Sequence, residues 1–293
     1  MKVRTMTKYL VTGASGQLGR LAVEDLLKSV AAENVAVLVR NEEKAAPLKA
    51  LGVDVRLGNY DDKGALSAAF AGVDRLLLVS SSEVGKRRQQ HANVIEAAEQ
   101  AGVGFLVYTS LLHADRNLLK VLAEEHNATE AALAASGLKY ALLRNGWYTE
   151  NLVAALPGVL ESGVYASAAG NGRFTTATRA DYAAAAAAVL LDETVASGTI
   201  YELAGDEAFT LEEFAAEIAR QSGKVIAYKS LPENTYREAL VGAGLPEPVA
   251  TMLADSDAGA AQGGLFDDSK TLSKLIGRPT TPYAEVIAAA LKA

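Results

Sequence analysis

The stretch Tyr9-Leu-Val-Thr-Gly-Ala-Ser-Gly-Gln-Leu-Gly19 decides the fold of this chain. A short apolar run leads directly into three glycines, Gly13, Gly16 and Gly19, and helix-forming residues follow. Gly13 suits a tight turn from strand to helix, Gly16 lets a pyrophosphate approach the backbone, and Gly19 lets the helix pack closely on the strand. Free N–H groups and the positive end of the helix dipole would then hold the phosphates. The stretch therefore predicts a phosphate-binding loop that opens a βαβ unit.

The residues after this loop alternate short apolar runs with helical segments, which is the pattern of a parallel sheet. Most runs are continuously apolar, as expected for strands covered on both faces. The pattern predicts an α/β fold with a Rossmann-type, doubly wound parallel sheet. The predicted strands are Tyr9–Thr12, Val35–Val39, Val53–Leu57, Arg75–Val79, Phe105–Thr109, Tyr140–Leu143 and Thr199–Leu203. The predicted helices are Gln17–Ser29, Glu42–Leu51, Gly64–Phe70, Gln89–Ala101 and Ala123–Ser136, with Pro47 making the second helix short or late.

The residue after the second strand indicates which dinucleotide the loop would take. NAD-binding folds of this type carry an acid there, which bonds the ribose hydroxyls. Here Val35–Val39 is followed by Arg40, whose planar guanidinium suits a 2′-phosphate, and Lys44 adds charge nearby. The alternative is that Arg40 pairs with Glu42 or Glu43 at the surface. We expect NADPH as the cofactor.

The sequence pattern changes after Trp147, where the regular alternation of apolar runs and helical segments ends and small residues become frequent. Thr210-Leu-Glu-Glu213 is a capping box that predicts a helix to about Ser222, and further helices follow, broken by Gly263-Gly264 and Pro279. We expect an NADP-binding domain in residues 1–150. Residues 151–293 would form mainly a smaller, interleaved C-terminal substrate lobe, with residues 175–205 returning to the main sheet.

Composition and charge exclude several classes of function. The net charge is −7 and the pI is near 5.2, so we expect no nucleic-acid partner. The chain has no cysteine, which rules out disulfides and thiolate catalysis and favours the cytoplasm. Its three histidines, His91, His113 and His126, lie in different segments, so we expect no metal site. The apolar runs fall short of the roughly 18 residues of a membrane helix, so we expect no membrane span.

The Gly-x-x-Gly-x-x-Gly spacing of the loop resembles that of extended and atypical short-chain dehydrogenases, specifically the NmrA-like group. Further segments strengthen the likeness, and they are similar to bacterial NADPH:quinone oxidoreductases of that group and, more distantly, to triphenylmethane dye reductases. These segments are Leu76-Leu-Leu-Val-Ser-Ser-Ser-Glu83, Tyr108-Thr-Ser-Leu-Leu-His-Ala-Asp115, Leu143-Arg-Asn-Gly-Trp-Tyr-Thr-Glu-Asn151, Thr178-Arg-Ala-Asp-Tyr182 and Gly263-Gly-Leu-Phe-Asp-Asp-Ser-Lys-Thr-Leu-Ser273. The resemblance runs from about Thr7 to the C-terminus.

The resemblance implies two-electron reduction of quinones by direct hydride transfer from NADPH. It also implies that three groups of residues line the cofactor. They are Gly13, Ala14, Ser15, Gly16, Gln17 and Leu18 with Arg40; Ser82, Glu83 and Val84; and Asn145, Gly146, Trp147, Tyr148, Thr149 and Glu150.

Ordinary short-chain dehydrogenases protonate an alkoxide with a Tyr-x-x-x-Lys pair. Tyr108, Tyr140 and Tyr182 are followed four residues later by leucine, arginine and alanine, so none of them begins such a pair. A quinone needs that acid less, because hydride addition gives a delocalised hydroquinone anion that water can protonate. The protein would then mainly position the ring over the nicotinamide.

Loops after the strands supply the candidate substrate residues. Trp147 and Tyr148 would stack on a quinone or nicotinamide, with core packing as the alternative for Trp147. His113 would polarise a quinone oxygen or supply a proton, and the alternative is a histidine that only holds structure. His126 and Glu130, four apart on a predicted helix, are interpreted as a surface or packing pair rather than a catalytic dyad.

Two other functions compete with the quinone reductase. The first is a non-enzymatic NADP-binding redox sensor or regulator, and the second is a nucleotide-sugar epimerase, which the absent Tyr-x-x-x-Lys pair disfavours. The sequence leaves open which quinone or similar acceptor is reduced. It also leaves the oligomeric state open, a homodimer included.

Overall fold

The structure is a computed structural model that describes residues Met6 to Lys292. Its residues form two compact units. Unit 1 comprises the described residues up to Ser110 together with Glu125–Leu143 and Tyr182–Tyr201. Unit 2 comprises Leu111–Glu124, Arg144–Asp181 and the described residues from Glu202 onward. The assignment of residues 1–150 and 151–293 to separate functions stays a prediction.

The helices and strands follow one another in a largely alternating order. They are β1 Tyr9–Val11, α1 Gln17–Leu26, β2 Val35–Val39, α2 Ala46–Lys49, β3 Asp54–Leu57, α3 Lys63–Phe70, β4 Arg75–Leu78, α4 Arg87–Gln100, β5 Phe105–Leu111, α5 Lys120–Ala135, β6 Tyr140–Asn145, α6 Thr149–Val153, α7 Leu156–Ser162, β7 Val164–Ser167, β8 Arg173–Phe174, α8 Arg179–Leu191, β9 Thr199–Leu203, β10 Phe209–Thr210, α9 Leu211–Ser222, β11 Ala227–Ser230, α10 Glu233–Gly242, α11 Glu247–Ala260, α12 Thr271–Ile276 and α13 Tyr283–Ala290.

The main sheet has seven strands in the order β3-β2-β1-β4-β5-β6-β9. The ladders that join β3, β2, β1, β4 and β5 are all parallel, and Leu10 lies opposite Ala36 on one side and Leu76 on the other. The strand order reverses between β1 and β4, because the chain builds outward from β1 in one direction and from β4 in the other. Ligands of open α/β sheets bind at the carboxyl end of the strands at such a point. The predicted doubly wound parallel sheet is confirmed.

Each unit has its own apolar core. In unit 1, Leu10, Leu76 and Tyr108 from the strands pack with Phe70 of α3 and other buried side chains. In unit 2, the core is rich in aromatic rings, and Phe209 lies 4.2 Å from Tyr283 between ring centroids. Buried aromatic side chains of this kind contribute strongly to stability. Both units therefore have packed cores that hold their surface loops in place.

Most predicted elements are confirmed, with differences at their ends. β5 and β6 each run two residues beyond their predicted ends. The predicted helix over 42–51 is mostly a single 3₁₀ turn followed by the one-turn helix α2, which starts late because Pro47 suits only the first helical turn. The capping box is confirmed, since Thr210 Oγ1 accepts from the Glu213 N–H and the Glu213 carboxylate accepts from the Thr210 N–H.

Candidate functional site

The predicted phosphate loop lies in unit 1, at the switch point after β1. Gly13 has a φ of +59°, a left-handed conformation that favours glycine, and its carbonyl accepts a 2.9 Å hydrogen bond from the Gly16 N–H. A Cβ at Gly19 would collide with the Gly13 carbonyl and would lie 2.9 Å from the Ala14 Cα. Gly19 is therefore needed because helix α1 packs against the backbone of the loop itself.

The start of α1 is open to an anion. Gly16 is the N-cap, and among the described residues no side chain caps this helix and no acidic residue stands in its first turn. Gly16 and Gln17 are exposed, while Ala14 and Leu18 are buried and anchor the loop. The N–H groups of a helix's first turn lack intrahelical partners, so this end has the donors that an anion needs, and its role as a phosphate site stays a prediction.

Tyr60, which no sequence motif marks, holds the base of this loop. Its hydroxyl lies 2.6 Å from Thr12 Oγ1 and 2.8 Å from the Val79 carbonyl oxygen. Thr12 in turn accepts from the Val79 N–H. Burial raises the pKa of Tyr60, so it stays neutral. The tyrosine thus ties the ends of β1 and β4 together beneath the glycines.

Arg40 lies at the end of β2 with its side chain 59% exposed. Its Nη1 is 3.6 Å from Glu83 Oε1, and the other oxygen of Glu83 is 3.1 Å from Lys86 Nζ. The alternative pairing of Arg40 with Glu42 or Glu43 was wrong, because the loop after β4 brings Glu83 to the guanidinium instead. The predicted cofactor residues Arg40 and Glu83 are therefore in mutual contact, which their separation in sequence did not reveal.

The loop that carries Ser82, Glu83 and Val84 is held by hydrogen bonds to α4 and α5. The Ser81 N–H donates to His91 Nε2 at 2.9 Å, and Ser81 Oγ donates to Gln90 at 2.6 Å. Burial lowers the pKa of His91 to about 3, with a smaller contribution from nearby Arg87. His91 is therefore neutral at physiological pH, and it acts as an acceptor that fixes the loop.

Asn145 is the last residue of β6, and it belongs to unit 2 together with Arg144. Asn145 is buried, at 4% exposure, and its backbone carbonyl accepts from the Leu112 N–H at 2.9 Å. Within the part of the chain that the structure describes, neither atom of its amide has a hydrogen-bond partner. A buried amide without partners costs about 1–3 kcal/mol, so it is typical of a group that a ligand satisfies. This orphaned amide fits a cofactor or substrate that offers both a donor and an acceptor.

The other predicted residues of this segment have partners within unit 2. The Gly146 N–H donates to the Leu203 carbonyl at 2.8 Å, and Trp147 packs against the aromatic core of the unit. The Tyr148 ring lies 4.6 Å from the guanidinium carbon of Arg179. Thr149 Oγ1 donates to Thr176 at 2.8 Å, and Glu150 accepts from the Arg179 N–H at 2.9 Å. Core packing, the alternative for Trp147, is thus observed, and the role of the segment in cofactor binding stays a prediction.

His113, the candidate catalytic residue, is enclosed in unit 2 at 6% exposure. Its Nε2 lies 3.1 Å from the Phe266 carbonyl oxygen and 3.5 Å from Asp267 Oδ2, and its Nδ1 lies 3.6 Å from Glu202. The Glu202 carboxylate is the main cause that raises the pKa of His113. These contacts favour a structural histidine over a proton donor, and its catalytic role stays a prediction.

His126 and Glu130 lie on α5 but face different partners. His126 Nδ1 is 2.7 Å from the Tyr108 hydroxyl, and Glu130 accepts a 2.5 Å hydrogen bond from Ser110. Burial holds the pKa of His126 well below its usual value. His126 is buried and Glu130 is half-buried, and each packs against its own partner, so they form neither a surface pair nor a catalytic dyad.

Metal sites and membrane-spanning helices are two other features that the described residues could contain. Residues 6–292 contain no group of three or more histidine and acidic side chains placed to hold a metal ion. No helix in that range is both long and apolar enough to cross a membrane.

The chain is similar in sequence and in fold to known proteins. Residues 13–193 match the model of the NAD(P)H-binding family. The chain is 56% identical to quinone oxidoreductase 2 of Escherichia coli over 94% of this chain and 96% of the relative. The crystal structure of the NADPH-dependent quinone oxidoreductase QOR2 from Escherichia coli, complexed with NADPH, superposes with a TM-score of 0.94 at 55% identity and covers 97% of this chain and 99% of that one.

A second solved structure is the triphenylmethane reductase of Citrobacter sp. complexed with NADP(H). It has a TM-score of 0.91 at 37% identity, and it covers 97% of this chain and 100% of that one. The resemblance stated from sequence motifs is therefore confirmed. Because the family model matches residues 13–193 and these relatives match nearly the whole chain, the chain belongs to the NAD(P)H-binding family.

Proposed function

We propose that this chain reduces quinones with NADPH in one two-electron step. The observation that carries the proposal is the match, over nearly the whole chain, to a quinone oxidoreductase solved with NADPH. The open start of α1 and the basic residue at the end of β2 are the features that such a cofactor needs for its pyrophosphate and its 2′-phosphate.

The residues of unit 1 would bind and orient the cofactor. The N–H groups at the start of α1 would take the pyrophosphate, and Arg40 would take the 2′-phosphate as a charge-assisted, bidentate contact. In unit 2, the unpartnered amide of Asn145 would hydrogen-bond a carboxamide or carbonyl group. Bound NADPH supplies the hydride, and the chain contributes binding and orientation.

The reaction balances without an acid from the protein. The quinone accepts two electrons and one hydrogen as hydride, and water supplies the proton that completes the hydroquinone. The enclosed nitrogens of His113 support this route, because both already face a carboxylate or a carbonyl. Without an acid to supply, the protein's task is to hold the two rings in a reactive geometry.

Purified protein mixed with NADPH and 1,4-benzoquinone tests the proposal. We expect NADPH consumption that depends on quinone, with one hydroquinone formed for each NADPH and no burst of superoxide from a semiquinone. Tight NADPH binding without turnover of any quinone tried would refute the reductase and favour the redox sensor. Conversion of a nucleotide sugar by the purified protein, in a separate assay, would instead favour the epimerase.

The composition supports two further proposals. The acidic charge and the absence of cysteine support work in the cytoplasm without nucleic acid. The oligomeric state stays open, and light scattering on the purified protein would distinguish a homodimer from a monomer.

A further inference from the structure

The acidic residue near the end of β2 comes from a different part of the fold than the acid of NAD-binding proteins with this type of sheet. There the acid stands at the end of the second strand and bonds the ribose. Here that position is Arg40, and the carboxylate of Glu83 arrives from the loop after β4 at 3.6 Å. An acid and a base thus share the place where the 2′ substituent of the cofactor would lie.

Hydrogen bonds hold the backbone of Glu83 in place, while its side chain is partly exposed. Its N–H donates to Ser81 Oγ at 3.1 Å, and Ser81 is itself bonded to His91 and Gln90. The next turn is fixed as well, since Glu125 accepts from the Gly85 N–H at 2.8 Å. The carboxylate is 38% exposed, so it can rotate while the loop stays in place.

Two cations share this carboxylate. Lys86 Nζ lies 3.1 Å from one oxygen of Glu83 and Arg40 lies 3.6 Å from the other. Glu42, the acid nearest Arg40 in sequence, lies 3.8 Å from Lys49 instead. Glu83 is therefore the carboxylate that an incoming 2′-phosphate would have to displace, and Lys86 can keep it paired afterwards.

We infer that Glu83 is a specificity-determining residue, which restrains Arg40 in the free protein and thereby narrows the preference for NADPH over NADH. The inference rests on the proposed function, because it takes the end of β2 as the 2′ subsite. A 2′-phosphate would compete with the carboxylate for Arg40 and be repelled by it. The neutral 2′-hydroxyl of NADH would leave the Arg40–Glu83 pair intact.

Calorimetric titration of the Glu83→Gln variant with NADPH and with NADH tests this inference. The amide keeps the size of the side chain and removes its charge. We expect the Kd for NADPH to fall about two- to fivefold, the range of an exposed ion pair, while the Kd for NADH stays unchanged. The gain should shrink in high salt, because exposed charges are screened there.

Glu43→Gln is the matched control, since it removes the same charge from an exposed acid three residues beyond Arg40. An equal gain in that variant, or equal tightening of NADPH and NADH by Glu83→Gln, would show a bulk charge effect and overturn the inference. Unchanged or weaker NADPH binding in Glu83→Gln would overturn it too. The weaker result would mean that the carboxylate holds Arg40 in its binding position.

These titrations use no quinone, so they separate the two proposals. If quinones are not reduced but Glu83→Gln still tightens NADPH binding selectively, the proposed activity fails and the inference stands. If quinones are reduced but the selectivity does not move, the inference fails alone. Circular dichroism melting of each variant confirms that it is folded.

Discussion

Replacing Gly19 with alanine should damage the phosphate loop through a backbone collision. An added Cβ would lie 2.8 Å from the Gly13 carbonyl carbon and 2.9 Å from the Ala14 Cα, and both are backbone atoms that no side-chain rotation can move. Carbon atoms pack at about 3.5 Å or more, so the loop and α1 must separate by about 0.7 Å. Overpacking of this kind costs about 1–3 kcal/mol.

The higher helix propensity of alanine opposes this loss of stability, but its effect is smaller. Alanine favours a helix over glycine by about 0.5–1 kcal/mol, so the collision should win and the variant should be less stable. The same displacement moves the N–H groups that would hold the pyrophosphate. We expect NADPH affinity to fall at least about tenfold, because contacts of this type depend on placement to within about 1 Å.

Urea unfolding measures the stability of Gly19→Ala, and calorimetry measures its NADPH affinity. Gly158→Ala is the control, because the added Cβ meets no atom within 4 Å in α7, and it should keep its affinity and gain about 0.4–1 kcal/mol. Wild-type stability together with wild-type affinity in Gly19→Ala would refute the reasoning.

Three further predictions concern single side chains. Arg40→Asp should weaken NADPH binding about ten- to a hundredfold, as expected for a lost charge-assisted contact worth about 1.5–3 kcal/mol, and an unchanged ratio of the NADPH and NADH dissociation constants would contradict it. Asn145→Leu removes an unpartnered buried amide, so the free energy of unfolding in urea should rise by about 1 kcal/mol. Steady-state kinetics should show weaker binding of the cofactor or the quinone. Lower stability would mean that the amide is satisfied in the free protein. The pKa of His113 is raised in the folded state, chiefly by Glu202, so its contribution to stability is fully present below about pH 6.5 and is lost as pH rises through the folded pKa. Unfolding of wild type and His113→Gln at pH 5 and pH 8 should therefore differ more at the lower pH, and a difference that grows with pH would be inconsistent with this sign.

Local patterns in the sequence determined the strands, the glycine loop and the cofactor class. The apolar run Val35–Val39 is strand β2 at the predicted bounds, because a strand buried on both faces is recognisable from its own residues. The positive φ of Gly13 and the closeness of Gly19 to the loop follow from the turn that such spacing imposes. Arg40 could be predicted as the residue of a 2′ subsite because its position is defined by the end of the strand before it.

Only the tertiary structure decided which side chains meet. Glu83 reaches Arg40 because β4 lies beside β1, and Tyr60 spans the same two strand ends from a loop that carries no motif. His113 is surrounded by residues from distant segments, Glu202, Phe266 and Asp267, so its sequence neighbours could not show whether its nitrogens were free. Hydrogen bonds and ion pairs act over about 3–4 Å in space, whereas local sequence patterns specify the backbone of one element at a time. The partners of these side chains were therefore set by the order of strands in the sheet and by the folding of the loops, and not by any stretch of the chain taken alone.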